Sequence, residues 1–548
     1  MPISKNPTFR RRKSLARQLS LSVVVSSLIT VGTSTAIGGP FDEQGVLFAP
    51  FVEWSQANPS YSGNPFDLEA LVTFTHRGTG EEISTPMFYD GNETWKWRFS
   101  GTMTGEWNFT THSDERDLDG ISGSVLIAPN PDPEIGGSMI SSGSKFVRHV
   151  GAGELDPIAL QVYMNMREPT KSNPGVGKSS DAGWNPVRHL EAQGARNNYI
   201  RQAQQNGMNA IFLQLNGQWF DYDSDLGRTN ALGTNNPNPD VRTFRVLEQI
   251  IQDAHTKGIQ TIIWAWGDEA RSWAPSNLLG GQNGEPDRRL QNYIAARLGP
   301  VVGWSMGYGF DLFEWADEQE LAVWADNIQS RMGWRHMLWG RERAGTSLNA
   351  VSNDLRPDGD PRDEFYNIAS TEIQNSGQRP VIFERRFAYM RDNVWNDETI
   401  RRAMWQFTIA GGASGWWGFY AGTDISVAGP FAAPESFRSH QKFWDDRLLL
   451  DMNPHNELTG GELAFALATD NLTDIVVYQE DSSHVELNLA HLVVPITAIA
   501  VDTKKDYSEI PLGQLDNKNQ VWTAPYESDW AIALGTVAMT SEGDTTVD

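Results

Sequence analysis

Between residues 151 and 445 the chain adopts a rhythm that few folds accommodate: short apolar runs take turns with stretches of helical periodicity. "GMNAIFLQLNG" is followed by "FRVLEQIIQDAHTKG" and then by "IQTIIWAWGDE". In the middle segment Phe244, Leu247, Ile251 and Ala254 share one helical face, and Lys257-Gly258 supplies a C-terminal stop. Strand, helix and strand at this spacing make βαβ units, in which a crossover helix lets neighbouring strands run parallel.

Eight runs qualify as strands: "IALQVYM", "NAIFLQL", "QTIIWAW", "VVGWSMG", "HMLWGRE", "NIAST", "PVIFERR" and "ASGWWGFY". Helical patterns follow most of them, so a (β/α)8 TIM barrel over 151–446 is expected. The segment 344–367 inside this span is polar and loop-like.

The flanks follow a different period. Over 40–130, "LEALVTFTHR", "TWKWRFS" and "GEWNFTTHS" alternate with period two between Gly, Asn and Asp turns, which predicts an N-terminal antiparallel β-sandwich. After residue 447 short strands return in "LAFALAT", "DIVVYQE", "HVELNLA" and "DWAIALGT", predicting a C-terminal β-sandwich over 447–548. The Ser-, Gly- and Pro-containing stretch 131–150 reads as a linker or link strand. A chain of 548 residues exceeds one core, so a multidomain protein is expected. No internal repeat or long low-complexity tract is present.

At the N-terminus "FRRRKSLARQ" is basic, "LSLSVVVSSLITVG" is a short apolar segment, and Ser34-Thr35-Ala36 forms a small-residue cleavage site. Residues 1–36 read as a signal peptide, which makes the mature protein secreted or periplasmic. The alternative is a membrane anchor, although the apolar run is shorter than the ~20 residues a spanning helix requires.

Composition removes whole function classes. With 44 Lys plus Arg against 69 Asp plus Glu, the net charge is −25, which disfavours nucleic acid and anionic membranes as partners. The absence of cysteine excludes disulfides, thiolate nucleophiles and Cys-ligated zinc. The 10 His show no HExxH or paired-ligand spacing: His336 reads as a strand-start residue and His255 as a helix-face residue. "GYGFD" lacks the Lys-Ser/Thr of a phosphate loop. No cofactor and no metal are expected.

In such a barrel, chemistry gathers at the C-terminal ends of the strands. The residues there are Asn216 and Trp219 after the second run, and Trp266, Asp268, Glu269 and Arg271 at or after the third. Asp311 and Glu314 follow the fourth, Arg341, Glu342 and Arg343 the fifth, and Glu372 the sixth. Glu384, Arg385 and Arg386 end the seventh, and Trp416, Trp417 and Tyr420 belong to the eighth. Two carboxylates facing each other across a basin of Trp and Tyr suit glycoside hydrolysis: one protonates the leaving oxygen, the other attacks or supports the anomeric carbon, and aromatic faces stack on sugar rings. Many of the 21 Trp are expected to be plain core residues.

The segments "NPFDLEALVTFTH", "FYDGNETWKWRFSGTMTGEWNFTTHS" and "LDGISGSV" resemble the N-terminal β-sandwich that precedes the barrel in a group of bacterial glycoside hydrolases. The barrel is similar to clan A of the retaining glycosidases, whose acid/base ends the fourth strand and whose nucleophile ends the seventh. The resemblance implies Glu384 of "PVIFERR" as nucleophile and Asp311 of "WSMGYGFD" as acid/base. It departs from the clan in having Phe310 where an Asn usually precedes the acid, and Asp in place of Glu. Glu314, one helical turn on, is the alternative acid, or simply a favourable first-turn charge. Retention is implied, with the carboxyls about 5–5.5 Å apart; the shorter Asp leaves inversion open.

Arginines at strand ends (Arg271, Arg341, Arg343, Arg385, Arg386) stand out in so acidic a chain. Guanidinium groups suit sulfate or carboxylate on a polysaccharide, which points to an anionic algal galactan of the carrageenan, agar or porphyran type. The same arginines would alternatively pair with carboxylates at the rim. A neutral plant polysaccharide as substrate, or a non-catalytic carbohydrate-binding protein on a glycosidase scaffold, are the competing readings. Oligomeric state is not written in the sequence.

Overall fold

The computed structural model describes residues 41–132, 135–151, 153–166, 186–220, 236–267, 275–341, 348–354, 365–385, 396–412, 414–420 and 434–539. The expected leader 1–36 lies outside them.

Eight parallel strands close into a barrel: β1 (Gln161–Met166), β2 (Ala210–Gln214), β3 (Gln260–Trp264), β4 (Trp304–Gly307), β5 (Leu338–Arg341), β6 (Ala350–Asp354), β7 (Val381–Arg385) and β8 (Ser414–Tyr420). β1 pairs with β8 from Gln161↔Gly415 to Met166↔Tyr420, which seals the cylinder. Outside lie α1 (Gln193–Gln205), α2 (Val241–His255), α3 (Glu285–Leu298), α4 (Glu318–Arg331), α5 (Phe365–Asn375), α6 (Asp397–Ile409) and α7 (Pro434–Trp444).

The strict (β/α)8 alternation is not kept among the described residues. β5 and β6 are separated only by 342–349, too few for a crossover helix of ordinary length. The sixth strand is also not where the sequence places it. "NIAST" forms part of α5, where Phe365, Tyr366 and Ala369 are buried at helical spacing, and β6 is "AVSND" upstream. Glu372 therefore sits on a helix and not at a strand end.

Local chemistry sets the helix ends. Asp240 caps α2 by accepting from the backbone N–H groups of Arg242 and Thr243, and Gly258 ends it in the left-handed region at φ 71°. Asp317 and Glu320 form a reciprocal capping box on α4, and Asn396 accepts from Thr399 N–H to start α6.

Inside the barrel, Phe212, Trp264, Phe310 and Trp339 form one cluster with Val162, Ile262 and Ile382. Gly307 at the end of β4 makes room for it, because a Cβ there would run into the rings of both Trp264 and Trp339. Gly307→Ala is expected to cost about 1–3 kcal/mol or more through overpacking, read from the urea midpoint of the purified variant.

The stretch 131–150 contains the strands Met139–Ser142 and Lys145–Val150; the second pairs with the first and with Glu154–Ile158, making a three-stranded antiparallel sheet. Met139 and Phe146 belong to the barrel's interior cluster, so this sheet plugs the barrel. Lys145 extends from it to donate to the carbonyls of Gly411 and Met452, each at 2.9 Å.

On the N-terminal side, a five-stranded and a three-stranded sheet face each other around Trp54, Phe74, Trp97, Trp107 and Phe109. One pairing there, Glu43–Val46 with Ser122–Ala128, is parallel, so the sandwich is not antiparallel throughout. Its joint with the barrel is a buried ion network. Arg98 contacts Glu248 of α2 at 2.8 Å, and Arg297 of α3 contacts both Glu248 and, at 2.9 Å, Asp90. The ring of Phe88 packs against both guanidiniums, 4.7 Å from Arg98 and 4.9 Å from Arg297.

Burial pushes the Asp90 carboxyl up. The hydrogen bond from Arg245, the charge of Arg297 and the contact with Lys96 outweigh that push and hold it at about 2. A carboxyl depressed below its unfolded value stabilises the fold above that value, and the contribution is lost as pH falls towards 2. Asp90→Asn is accordingly expected to flatten the fall in melting temperature between about pH 4 and pH 2, measured by calorimetry at each pH.

The C-terminal part departs from a two-sheet sandwich. Its strands form one seven-stranded sheet with register shifts between Gln479 and His484. Residues on both sides of that irregularity, Ile475 and Val477 with Val485 and Leu487, share a core, so a single bent sheet encloses its own interior. Its other face rests on α6, where Trp405 stacks on Tyr478 at 5.3 Å and Arg401 and Arg402 reach Asp529.

Candidate functional site

β4 delivers Asp311 through a sharp turn. Phe310 folds inward onto Trp264, ring centres 5.0 Å apart, and Phe212, 6.4 Å, so the position where the resembled clan keeps an Asn is part of the barrel core. Asp311 then adopts a left-handed conformation, φ 47° and ψ 43°, uncommon for a residue with a side chain. Asn216, at the end of β2, does the same at φ 54°. Two such residues sit at the same end of the barrel.

Arg341, the last residue of β5, lies between the two carboxylates that the sequence singles out. Its Nη1 donates to Asp311 Oδ1 at 2.8 Å, and its Nε lies 3.7 Å from Glu384 Oε2. Glu384 belongs to β7, in register with Asp354 of β6 and Trp416 of β8. Its other oxygen, Oε1, accepts a 2.7 Å hydrogen bond from the hydroxyl of Ser352. Ser352 of β6 and Arg341 of β5 thus address one carboxylate oxygen each. Ser352 is the residue sequence reasoning misses: placing the sixth strand at 367–371 removes 350–354 from view, and recognising "AVSND" as a strand would have found it.

Exposure separates the two rival acids. The Asp311 side chain keeps 13% of its surface, while Glu314, on the short 3-10 turn Leu312–Glu314, is exposed with no side-chain hydrogen bond or ion pair among the described residues. Glu384 and Arg341 are each 1% exposed, at the floor of the arrangement.

The aromatic candidates divide. Trp219 and Trp266 are not sugar platforms: both are core residues. Trp219 donates its indole N–H to Ala265 O at 2.8 Å and packs on Phe244, and Trp266 lies against Phe220, so neither offers a face to a ligand. Asn216 is buried as well, its amide oxygen accepting from Gln214 at 3.1 Å. Arg385, Trp416, Trp417 and Tyr420 lie on strands of the barrel. Asp268, Glu269, Arg271, Glu342, Arg343 and Arg386, like the side chains of Arg385, Trp416, Trp417 and Tyr420, lie outside the described residues.

The two histidines singled out in the sequence, His336 and His255, are structural. His336 lies between the carbonyls of Gly299, at 2.8 Å, and Trp304, at 3.2 Å, and burial pushes it down to about 4, so its single N–H serves one of them; His255 faces Gly136 O at 2.9 Å and is pushed down to about 4 by the same cause. Among the described residues no group of three or more His, Cys, Asp or Glu is arranged to hold a metal ion, and no helix is long and apolar enough to cross a membrane.

A family model described as a domain of unknown function (DUF5060) matches residues 50–114, within the N-terminal sheets. No curated protein sequence matches the chain. Among solved structures, one from Bacteroides vulgatus ATCC 8482, provisionally described as a glycoside hydrolase, superposes with a TM-score of 0.62 at 15% identity, covering 90% of this chain and 99% of that one. A second from the same organism, described as a glycoside hydrolase of family 5, gives 0.55 at 14% identity over 75% and 95% of the two chains. A third, described as a glycoside hydrolase, gives 0.55 at 14% identity over 75% and 99%. At these identities what is shared is the fold: a multidomain chain of mixed sheets built like these three glycoside hydrolases.

Proposed function

We propose that the chain is an exported glycoside hydrolase, with a leader at 1–36, a TIM-type catalytic barrel over 151–446, and flanking β domains over 40–130 and 447–548. The observation that carries this reading is the shared guanidinium: Arg341 touches Asp311 and approaches Glu384, so the two carboxylates flank one side chain. Glu384, fixed by Ser352, is the nucleophile that attacks the anomeric carbon, and Asp311 protonates the leaving oxygen and then activates water, which is the retaining sequence. Asp311 is preferred to Glu314 because it alone contacts the group that also reaches Glu384. For the reaction to run, the Arg341–Asp311 contact is exchanged for one to the glycosidic oxygen, and glycan binding uncovers Glu384.

The substrate is a polysaccharide. The strand-end arginines Arg271, Arg343 and Arg385 support an anionic or sulfated galactan of the carrageenan, agar or porphyran type. A neutral polysaccharide is the second reading, and a specific observation favours it: Arg341 is engaged with carboxylates of the site itself. The test is release of reducing ends from carrageenan, agarose, porphyran, xylan and mannan. Release from carrageenan, agarose or porphyran alone supports the first reading and release from xylan or mannan alone the second. Binding without release from any of them would leave a non-catalytic carbohydrate-binding protein.

A further inference from the structure

The N-terminal sheets and α3 enclose a cleft of about 680 Å3, within the usual size of ligand sites, which favour junctions between domains. α3 starts at the rim that carries Asp311 and Glu384 and runs away from it. The cleft therefore lies along the barrel's outer wall and not in its mouth.

One side presents Arg288 and Asn292, one turn apart on α3; the other presents Phe66, Tyr89 and Trp95, with Asp114 at the edge. The rings pack edge to face or tilted: Phe66 meets Tyr89 at 5.3 Å and Tyr293 at 5.1 Å, and Tyr89 meets Trp95 at 5.1 Å, which leaves the half-buried Phe66 and Tyr89 as the apolar wall of the cleft.

The charged groups nearby are mostly spoken for. Arg289 is held by Asp67 and Glu285, and Arg331 by Glu69. What remains is a matched set of open groups. Arg288 and Asp114 are exposed, and neither has a side-chain hydrogen bond or ion pair among the described residues. The indole N–H of Trp95, in a side chain only 2% exposed, has no acceptor. That N–H is itself closed off from solvent, so Trp95 forms part of the cleft wall and is not a donor to its contents.

The cleft carries charges of both signs, with Arg288 open on one side and Asp114 and Asp119 on the other, so it is not biased towards an anion or a cation. A polyhydroxylated, uncharged ligand uses both: its hydroxyls accept from Arg288 and Asn292 and donate to Asp114, and its apolar ring face lies against Phe66 and Tyr89. We propose that this cleft is a second carbohydrate site, separate from the candidate active site, which binds a neutral oligosaccharide segment along the outer wall of the barrel. The proposal does not depend on catalysis in the barrel.

Two variants test it: Arg288→Ala with Asn292→Ala removes the polar wall, and Asn292→Trp fills the space. Both changes are on the outer face of α3, away from the catalytic candidates. The parent is Glu384→Gln, titrated calorimetrically with neoagarotetraose, cellotetraose and sulfated neocarratetraose. The expected result is that a neutral tetrasaccharide binds the parent, Asn292→Trp loses one binding event, and the double alanine variant weakens it by about tenfold. With Glu384 restored, both variants should cleave a short chromogenic glycoside at the unaltered rate. Unchanged affinity and stoichiometry in both variants, or no binding of either neutral tetrasaccharide to the parent, overturns the proposal. A chain that cleaves no polysaccharide yet loses tetrasaccharide binding in Asn292→Trp sinks the catalytic reading and leaves the cleft standing.

Discussion

Glu384→Gln is expected to abolish polysaccharide cleavage, with a loss of roughly 10^4-fold or more in kcat, while the folded protein and its glycan binding persist. Glutamine keeps the shape of the side chain and its acceptor oxygen for Ser352 Oγ, 2.7 Å away in the parent, but it cannot attack an anomeric carbon. Asp311→Asn should cost about 10²–10⁴-fold, the usual contribution of a positioned acid/base, and least for substrates whose leaving group needs no proton. That dependence on the leaving group separates the two roles within one pair of variants. If Glu314→Gln carried the leaving-group dependence and Asp311→Asn did not, the acid would be Glu314. Retention of more than a tenth of wild-type activity by Glu384→Gln would remove Glu384 from the mechanism altogether.

Glu248→Ala is expected to destabilise the chain by about 3–5 kcal/mol, the usual cost of removing one member of a buried ion set. Glu248 accepts from Arg98 of the sandwich and Arg297 of α3, both nearly inaccessible, and its loss leaves the two guanidiniums side by side without the carboxylate they share. Burial pushes the Glu248 carboxyl up, and the charges and hydrogen bonds of Arg297 and Arg98 outweigh that and hold it below its ordinary value, so the carboxylate is the form the fold uses. Replacing the set together, with Arg98→Met, Glu248→Leu and Arg297→Met, should recover much of the loss, because no buried charge is then left unpaired. The urea midpoints of the two proteins measure this, and a change below about 1 kcal/mol for Glu248→Ala would mean that water reaches the network.

Most barrel strands were legible because they are buried on both faces and so read as unbroken apolar runs; "AIFLQ" and "QTIIW" contain β2 and β3. β6 was not, because "AVSND" is short and half polar, whereas "NIAST" looks strand-like only until Phe365 and Tyr366 are seen to share its helical face. The C-terminal strands were readable one by one, but whether they make two sheets or one bent sheet depends on pairings between segments far apart in sequence. The tryptophans show the same limit: the sequence supplies aromatic residues near strand ends, and only packing reveals that Trp219 and Trp266 face the helices.

For the candidate site, sequence alone put Asp311, with Glu314 as its rival, after β4 and Glu384 on β7, since position along a strand follows from the local run that precedes it. Only the tertiary structure decided how they relate: that Arg341 stands between Asp311 and Glu384, that Ser352 fixes Glu384, and that Glu314 stays outside in solvent. Those contacts join residues 30 to 43 positions apart around the cylinder, a relation set by barrel closure and strand stagger that no local pattern records.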